Sequence, residues 1–195
     1  MKNITSICFI CILTACAGCF GVKTKQTNRW LVDFATQTNA PKPPETAPAV
    51  KLIQTNVVAP YNGAQIAVLR ADGTVAFDAY NTFAAQPAAI LSPAAFDALY
   101  ASGRFSNVIR PNSSASSQLE IEITVTRLAL DCRNAGERKA SVELFAVLTG
   151  KRQILSSAKT SASVDAGSGD YSKAFSEAFS QALLKAAAQL DLNCK

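Results

Sequence analysis

Apolar and polar residues alternate most regularly in the second half of the chain. Every second residue is apolar from 119 to 125, and after Arg127 the apolar phase moves to Leu128 and Leu130. Such alternation is typical of a β-strand with one buried face, and a change of phase indicates a β-bulge. This segment therefore predicts one long strand that carries a bulge near Arg127.

Two more strands and a helix are predicted to follow. Residues 140–148 repeat the alternation, Thr149-Gly150-Lys151 predicts a turn, and residues 152–164 form the third strand. Residues 168–190 then change to the helical period, with Asp170 placed to cap the helix. Its apolar stripe consists of Tyr171, Ala174, Phe175, Ala178, Phe179, Ala182, Leu183, Ala186 and Leu190.

The first half of the chain predicts shorter elements. Strands are expected at 29–35, 50–58 and 105–109, and the Asp-Gly turn at 71–73 predicts a hairpin of 65–70 with 74–80. A helix is expected at about 88–102, with a break at Ser92-Pro93, because proline suits the first position of a helix, and with its end at Gly103. The order of elements predicts an α+β fold, an antiparallel sheet with two helices packed on one face.

The amino-terminal residues have the pattern of an export signal. Lys2 precedes a short apolar stretch that ends in Leu13-Thr14-Ala15-Cys16, and this stretch is too short to cross a bilayer as a helix. The segment resembles the bacterial lipoprotein signal, and Cys16 is the cysteine with an aliphatic residue three places upstream. The resemblance implies that residues 1–15 are removed and that Cys16 carries diacylglycerol on its sulfur and an acyl chain on its amino group.

The domain boundaries follow from this interpretation. Residues 16–28 are polar and aperiodic, which predicts a lipidated flexible tether. A single folded domain is expected at 29–191, with a proline-rich link at about 36–49. Ala17 follows the modified cysteine where retention in the inner membrane usually needs aspartate, so the expected location is the periplasmic face of the outer membrane. An ordinary secretory signal with a chance cysteine is the alternative.

Charge and length narrow the function. Without residues 1–15 the chain keeps 18 Lys and Arg against 14 Asp and Glu over 180 residues. This mild balance, with no basic stripe, does not favour nucleic acid as a partner. A length of 180 residues suits one domain with a substantial core.

The cysteines leave two alternatives open. Cys19, Cys132 and Cys194 remain beside the lipidated Cys16 once the signal is removed. Cys132 closes a long strand and Cys194 follows the last helix, so a disulfide between them is one prediction. Three unpaired cysteines are the other, because spacing alone does not determine connectivity.

The residues predict no catalytic, cofactor-binding or metal site. The chain contains no histidine, so neither a serine nor a cysteine nucleophile has the usual base. Glu120 and Glu122 lie two apart on one strand face, and their alternation with apolar residues favours a solvated surface over an acid–base pair. The segment Gly167-Ser168-Gly169-Asp170 lacks the lysine and spacing of a phosphate loop and predicts a loop followed by a helix cap.

The chain also resembles a known family, the ABC-type transport auxiliary lipoproteins, which includes paraquat-inducible protein C. The similarity spans roughly residues 30–191, and the segments that carry it are QIAVLRADGTVAFDAYNTF at 65–83, FDALYASGRF at 96–105, QLEIEI at 118–123, the Thr149-Gly150 turn before Ile154-Leu155, and the last helix. Members of the family are outer-membrane lipoproteins. They work with mammalian-cell-entry (MCE) proteins, and often with an ABC permease and ATPase, in systems thought to move phospholipid or other apolar molecules across the periplasm.

The resemblance implies a non-catalytic auxiliary that docks an MCE conduit at the outer membrane, as an oligomer of its own copies. The physical reason is that apolar cargo exposes its surface to water unless a continuous protein path shields it. A lipoprotein that assists assembly or export of another outer-membrane component is the alternative, and a periplasmic enzyme is a third hypothesis.

Overall fold

The structure is a computed structural model and describes residues 26–32, 41–167 and 169–192. Within these ranges the chain forms eight strands and two helices in one α+β domain. In chain order they are β1 (Asn28–Trp30), β2 (Ala49–Val57), β3 (Gln65–Arg70), β4 (Val75–Phe83), α1 (Pro87–Ala101), β5 (Asn107–Ile109), β6 (Leu119–Cys132), β7 (Lys139–Gly150), β8 (Gln153–Asp165) and α2 (Tyr171–Gln189).

Strand β6 is the centre of the sheet. One of its edges pairs along its length with β7, which pairs in turn with β8, and both pairs are antiparallel. The register of β6 against β7 shifts between Val125 and Arg127, which confirms the predicted bulge. Two ends of the sheet follow from these strands: the tip end carries the β7–β8 turn, and the base end carries the β3–β4 and β6–β7 turns.

The prediction of an antiparallel sheet is wrong, because the sheet is mixed. β2 pairs in parallel with the first half of β6, and β3 pairs in parallel with its second half. β5 is parallel to β2, and β1 is parallel to β4. β2 and β3 run in one direction along the same edge of β6 and are joined by a short loop. The connection from β3 to the parallel strand β6 is long and passes through β4, α1 and β5, as a crossover between parallel strands requires.

Both helices contribute to one hydrophobic core with one face of the sheet. The buried cluster takes Leu91 and Leu99 from α1 and Phe175 and Phe179 from α2, together with the inward residues of β2, β6, β7 and β8. All nine residues of the predicted stripe of the last helix are buried. Asp170 caps this helix, accepting a hydrogen bond from the Lys173 amide at 3.1 Å. The helical period alone thus identified the buried face.

The predicted break in the first helix is wrong. α1 begins at Pro87 and continues through Pro93. Proline at this position removes the bond to the carbonyl of Ala89, but Pro93 and Ala89 are both exposed, so the lost bond lies on the solvent side of the helix. Burial of the opposite side of the helix keeps it continuous.

The remaining strands lie close to their predicted positions. The β3–β4 hairpin is confirmed, with the Arg70 amide bonded to the Thr74 carbonyl at 3.0 Å and Gly73 at a φ of 82°. The first strand is residues 28–30, against the predicted 29–35, of which residues 33–35 lie outside the described ranges. So do the tether up to residue 25 and residues 36–40 of the proline-rich link.

The β7–β8 turn lies one residue later than predicted. Gly150 ends β7, and the two turn residues are Lys151 and Arg152, with φ of 50° and 65°. A Cβ on Gly150 would lie 2.7 Å from Leu155 Cδ1 and 3.2 Å from Leu119 Cδ2. The glycine therefore serves close packing, and two cationic residues take the left-handed conformations that glycine or asparagine usually adopts in such turns.

Candidate interaction surface

Both described helices pack on one face of the sheet, and neither of them lies on the opposite face. We call it the helix-free face. Polar side chains dominate it, and the register places them side by side: Glu122 lies between Gln54 and Val147, and Thr124 lies between Asn56 and Phe145. Phe145 is 39% exposed. This face meets solvent or another molecule, and not the core of this domain.

Glu120 and Glu122 are exposed on the helix-free face. In the register, Glu120 lies between Lys51 on β2 and Thr149 on β7. The solvated surface favoured by the sequence is confirmed for both side chains.

A charged cluster crosses the middle of the helix-free face. The Glu143 carboxylate lies 3.0 Å from Lys159 Nζ and 3.7 Å from an Arg127 guanidinium nitrogen, and it accepts a hydrogen bond from Thr126 Oγ1 at 2.9 Å. The hydrogen bond from Lys159 lowers the pKa of Glu143, against a smaller opposing effect of burial. The bulge in β6 is what places Arg127 opposite Glu143.

An apolar patch lies on the same face near the base end. Ala67, Leu69 and Ala129 form a small buried cluster against Tyr61. Val75 and Phe77 lie opposite Leu69 and Ala67 in the β3–β4 register and are 39% and 46% exposed. We define the apolar patch as these six residues. Of the six, Val75 and Phe77 are the exposed members, and exposed apolar side chains grouped on a polar surface are typical of contact sites.

The amino-terminal strand is attached firmly to the sheet. The indole of Trp30 packs on the Tyr171 ring, with centroids 5.5 Å apart, and its Nε1 donates to Asn81 Oδ1 at 3.0 Å. Asp78 holds the Asn81 side chain by accepting from Nδ2 at 2.9 Å. Ser172 also donates its hydroxyl to the Leu31 carbonyl. Because β1 is parallel to β4, which starts at the base end, the chain enters the domain from that end.

The predicted cysteine site is only partly within the described residues. Cys132 is half-buried and lines an open cleft of about 560 Å³ at the base end, beside Arg70 and Arg138. Among the described residues it has no disulfide partner. Cys16 and Cys194 lie outside these residues, so the lipid attachment and the Cys132–Cys194 bridge stay predictions.

The loop before α2 is a helix cap in the structure. Asp170 occupies the helix N-terminus with its own carboxylate, which leaves that end unsuited to a bound anion. In the part of the chain that the structure describes, no three His, Cys, Asp or Glu side chains group as metal ligands would. None of the described helices combines the length and apolarity that a membrane crossing requires.

Comparison with known proteins shows the fold. No protein-family model and no curated protein matches the sequence. A crystal structure from Xanthomonas campestris, assigned to the DUF330 family, has a TM-score of 0.58 and 19% identity, and the match covers 82% of this chain and 89% of that chain. Another solved structure, of an uncharacterized protein, has a TM-score of 0.61 and 13% identity, over 84% of this chain and 95% of that chain.

A more distant similarity is to the PelC dodecamer from Paraburkholderia phytofirmans. Its TM-score is 0.48 and its identity 14%, over 79% of this chain and 96% of that chain. At these levels of identity the first two similarities establish a shared architecture for nearly the whole domain.

Proposed function

We propose that this protein is an outer-membrane lipoprotein that docks the distal end of an MCE conduit, as the non-catalytic auxiliary of an ABC-type system for phospholipid or other apolar molecules. Its partners are an MCE-domain protein, an ABC permease and ATPase, and further copies of itself. Cys16 attaches it to the periplasmic face of the outer membrane. The ATPase supplies the energy for transport, and this chain holds the end of the conduit at the outer membrane.

The observation that carries the proposal is the lipobox at Cys16, in a chain that continues into a domain with no helix suited to span a membrane among those described. A lipid anchor fixes a domain at a membrane surface without inserting it. The chain enters the domain at the base end, through a strand tied by Trp30. An anchor at Cys16 and a domain whose first strand is held in the sheet support a role as a docking module.

The apolar patch is the contact that we assign to the MCE partner. Val75 and Phe77 are its most exposed members, and they lie on a face where polar side chains dominate. Covering such side chains removes apolar area from water, at about 25 cal/mol per Å². An MCE conduit for apolar cargo is expected to present apolar surface to the component that receives it.

Affinity purification of the tagged full chain from native membranes in mild detergent tests the docking role. We expect the MCE-domain protein and the ABC permease to co-purify, and Phe77→Ser to reduce their recovery several-fold. Tyr100→Ser is the matched control, because Tyr100 is 60% exposed but lies on α1, on the other side of the sheet. Equal recovery with both variants would remove the patch from the proposal, and repeated absence of these partners would contradict the docking role.

Mass spectrometry of the purified native chain tests the anchor separately. We expect an amino terminus at Cys16 with a mass that matches three acyl chains. An intact leader and an unmodified Cys16 thiol would contradict the lipoprotein assignment whatever the partner experiment shows.

A further inference from the structure

The outer edge of β8 is long and open. Among the described strands β8 pairs with β7 alone, and it runs for 13 residues. At its other margins the sheet ends in β1 and β5, which have three residues each. A long, free strand edge is a template for pairing with another chain, and proteins usually shorten or block such edges. β8 contains no proline and is not shortened.

The hydrogen-bonding phase of β8 shows which residues face this edge. The Ala166 amide donates to the Arg138 carbonyl at 2.7 Å, in the register that pairs Asp165 with Lys139. Bonded and non-bonded pairs alternate in an antiparallel ladder. The odd-numbered residues from 157 to 165 therefore direct their amides and carbonyls away from β7. Lys185 Nζ donates to the Ser161 carbonyl from that side, at 3.4 Å, and pairing of this edge has to replace that one long hydrogen bond.

The side chains of these edge-facing residues are compatible with a close neighbour. All are exposed on the helix-free face, and they are Ser157, Lys159, Ser161, Ser163 and Asp165. Three are serines, which are too small to shield the backbone. The two charges are opposite in sign and lie at either end of a seven-residue segment.

We propose that this edge pairs with the same edge of a second copy of this chain, antiparallel around a two-fold axis at Ala162. This register sets Lys159 opposite the partner's Asp165 and Ser161 opposite the partner's Ser163, and symmetry repeats both pairs. Opposite charges across a ladder stabilise it, and like charges destabilise it. Among two-fold registers, this is the one that pairs Lys159 with Asp165, whereas an axis at Lys159 would oppose two lysines.

Backbone hydrogen bonds supply the attraction in this interface, and the charge pairs select the register. The two sheets become one continuous sheet, and the helix-free faces of both copies lie on the same side. The edge is distinct from the apolar patch, which lies on β3 and β4. The self-pairing therefore does not depend on the docking role.

Sedimentation velocity of the purified full chain over a concentration series, in mild detergent, tests the pairing. We expect a dimer, and we expect Lys159→Asp and Asp165→Lys each to raise its dissociation constant at least about tenfold, because each places like charges opposite each other. The double variant K159D/D165K restores opposite charges and should recover the dimer. The double variant still lacks the Lys159–Glu143 ion pair. Recovery of the dimer would therefore show that the single variants act on the interface and not on the stability of the domain.

An independent variant tests the edge itself. Ser161→Lys with Ser163→Lys places two lysines on the open edge and should yield monomers. Thr124→Lys with Thr149→Lys is the control, because it adds the same charge to the same face on inner strands. Circular dichroism confirms that each variant is folded. A wild-type monomer at the highest soluble concentration, or an oligomer that none of these substitutions weakens, would overturn the proposal.

Discussion

Lys151 and Arg152 adopt a conformation that their side chains disfavour. A left-handed backbone costs a non-glycine residue roughly 1–2 kcal/mol, and both residues have positive φ. The sequence indicated a turn here because of Gly150. The predicted turn is one residue too early, because the prediction treats Gly150 as a turn residue. Gly150 is in fact needed for its close contact with Leu119 and Leu155, and a contact between strands cannot be seen in a local pattern.

Replacing the turn residues should therefore stabilise the domain. Lys151→Asn with Arg152→Gly gives the Asn-Gly pair that suits this turn, and we expect the free energy of unfolding to rise by about 1–2 kcal/mol. Chemical denaturation measures it. Gly150→Ala is the opposite case, because its methyl group would crowd Leu155, and it should lower the stability. A fall in stability for the double variant would contradict the strain argument.

Glu143 should give the domain a dependence on acid. Its pKa is lowered from 4.5, chiefly by the hydrogen bond from Lys159, so the folded state favours the ionised carboxylate. That contribution is fully present above the pKa of the unfolded chain and is lost as the pH falls through the lower pKa of the folded state. We expect unfolding free energy to fall on acidification below about 4.5, and the fall to be shallower in Glu143→Gln. Identical slopes would contradict this assignment.

At the scale of elements, periodicity predicted the existence and type of nearly every strand and helix. It could not predict their pairing, because alternation reports that one face is buried and not which neighbour lies at each edge. β2 and β3 are parallel to β6 because the connection through β4, α1 and β5 returns the chain to the tip end, where β6 begins. α1 likewise passes Pro93 because burial of Leu91 and Leu99 on its other side outweighs a local signal to stop.

Arg104 links the two helices at the tip end. Its guanidinium donates to the Ala187 carbonyl at 2.7 Å and to the Leu190 carbonyl at 2.9 Å, where α2 leaves its last carbonyls without helical partners. A cation there also interacts favourably with the helix dipole. No local pattern predicts this cap, because 83 residues separate Arg104 from Ala187.

Removing this cap should destabilise the domain. We expect Arg104→Gln to lower the free energy of unfolding by about 1.5–3 kcal/mol, since hydrogen bonds to a charged group are lost. Arg104→Lys should recover only part of it, because an ammonium cannot reproduce the two-pronged geometry. Arg29→Gln, at an exposed arginine of β1, is the control, and an effect as small as the control's would contradict the assigned role.

At the scale of the whole molecule, register bears on the cysteines. Cys132 lies at the base end, whereas the Asp191 amide, three residues before Cys194, is bound to Ser156 Oγ near the tip end at 3.0 Å. About 30 Å of strand separates these levels, and a disulfide needs Cα atoms within about 7 Å. This placement of the described residues argues against a bridge between Cys132 and Cys194.

Alkylation without reduction should settle the pairing. We expect Cys132 to be alkylated in the denatured, unreduced chain, because the chain before Cys194 is held at the other end of the sheet, and peptide mass spectrometry reads this out. Cys132→Ser is the control for the assignment of the peptide. Alkylation of Cys132 that appears only after reduction would establish a bridge and contradict this expectation.

The candidate surfaces were the part least accessible from sequence. The polar character of Glu120 and Glu122 was predicted by their alternation, but the apolar patch joins Tyr61, the β3–β4 hairpin and Ala129, which are brought together by parallel pairing. The edge of β8 is open because no other described strand pairs with it, and the pattern of residues within a strand does not show whether a neighbour is present.

The parallel entry of β1 has a mechanical consequence. A pull along the direction in which the chain enters acts on the axis of β1, so its contacts with β4 are sheared together, whereas peeling would break them one after another. Trp30 is hydrogen-bonded to Asn81 and packs on Tyr171, and these side-chain contacts help to hold the short strand β1 in place. A force applied at residue 28 is thus distributed over the sheet and α2, so β1 resists being pulled out of the sheet.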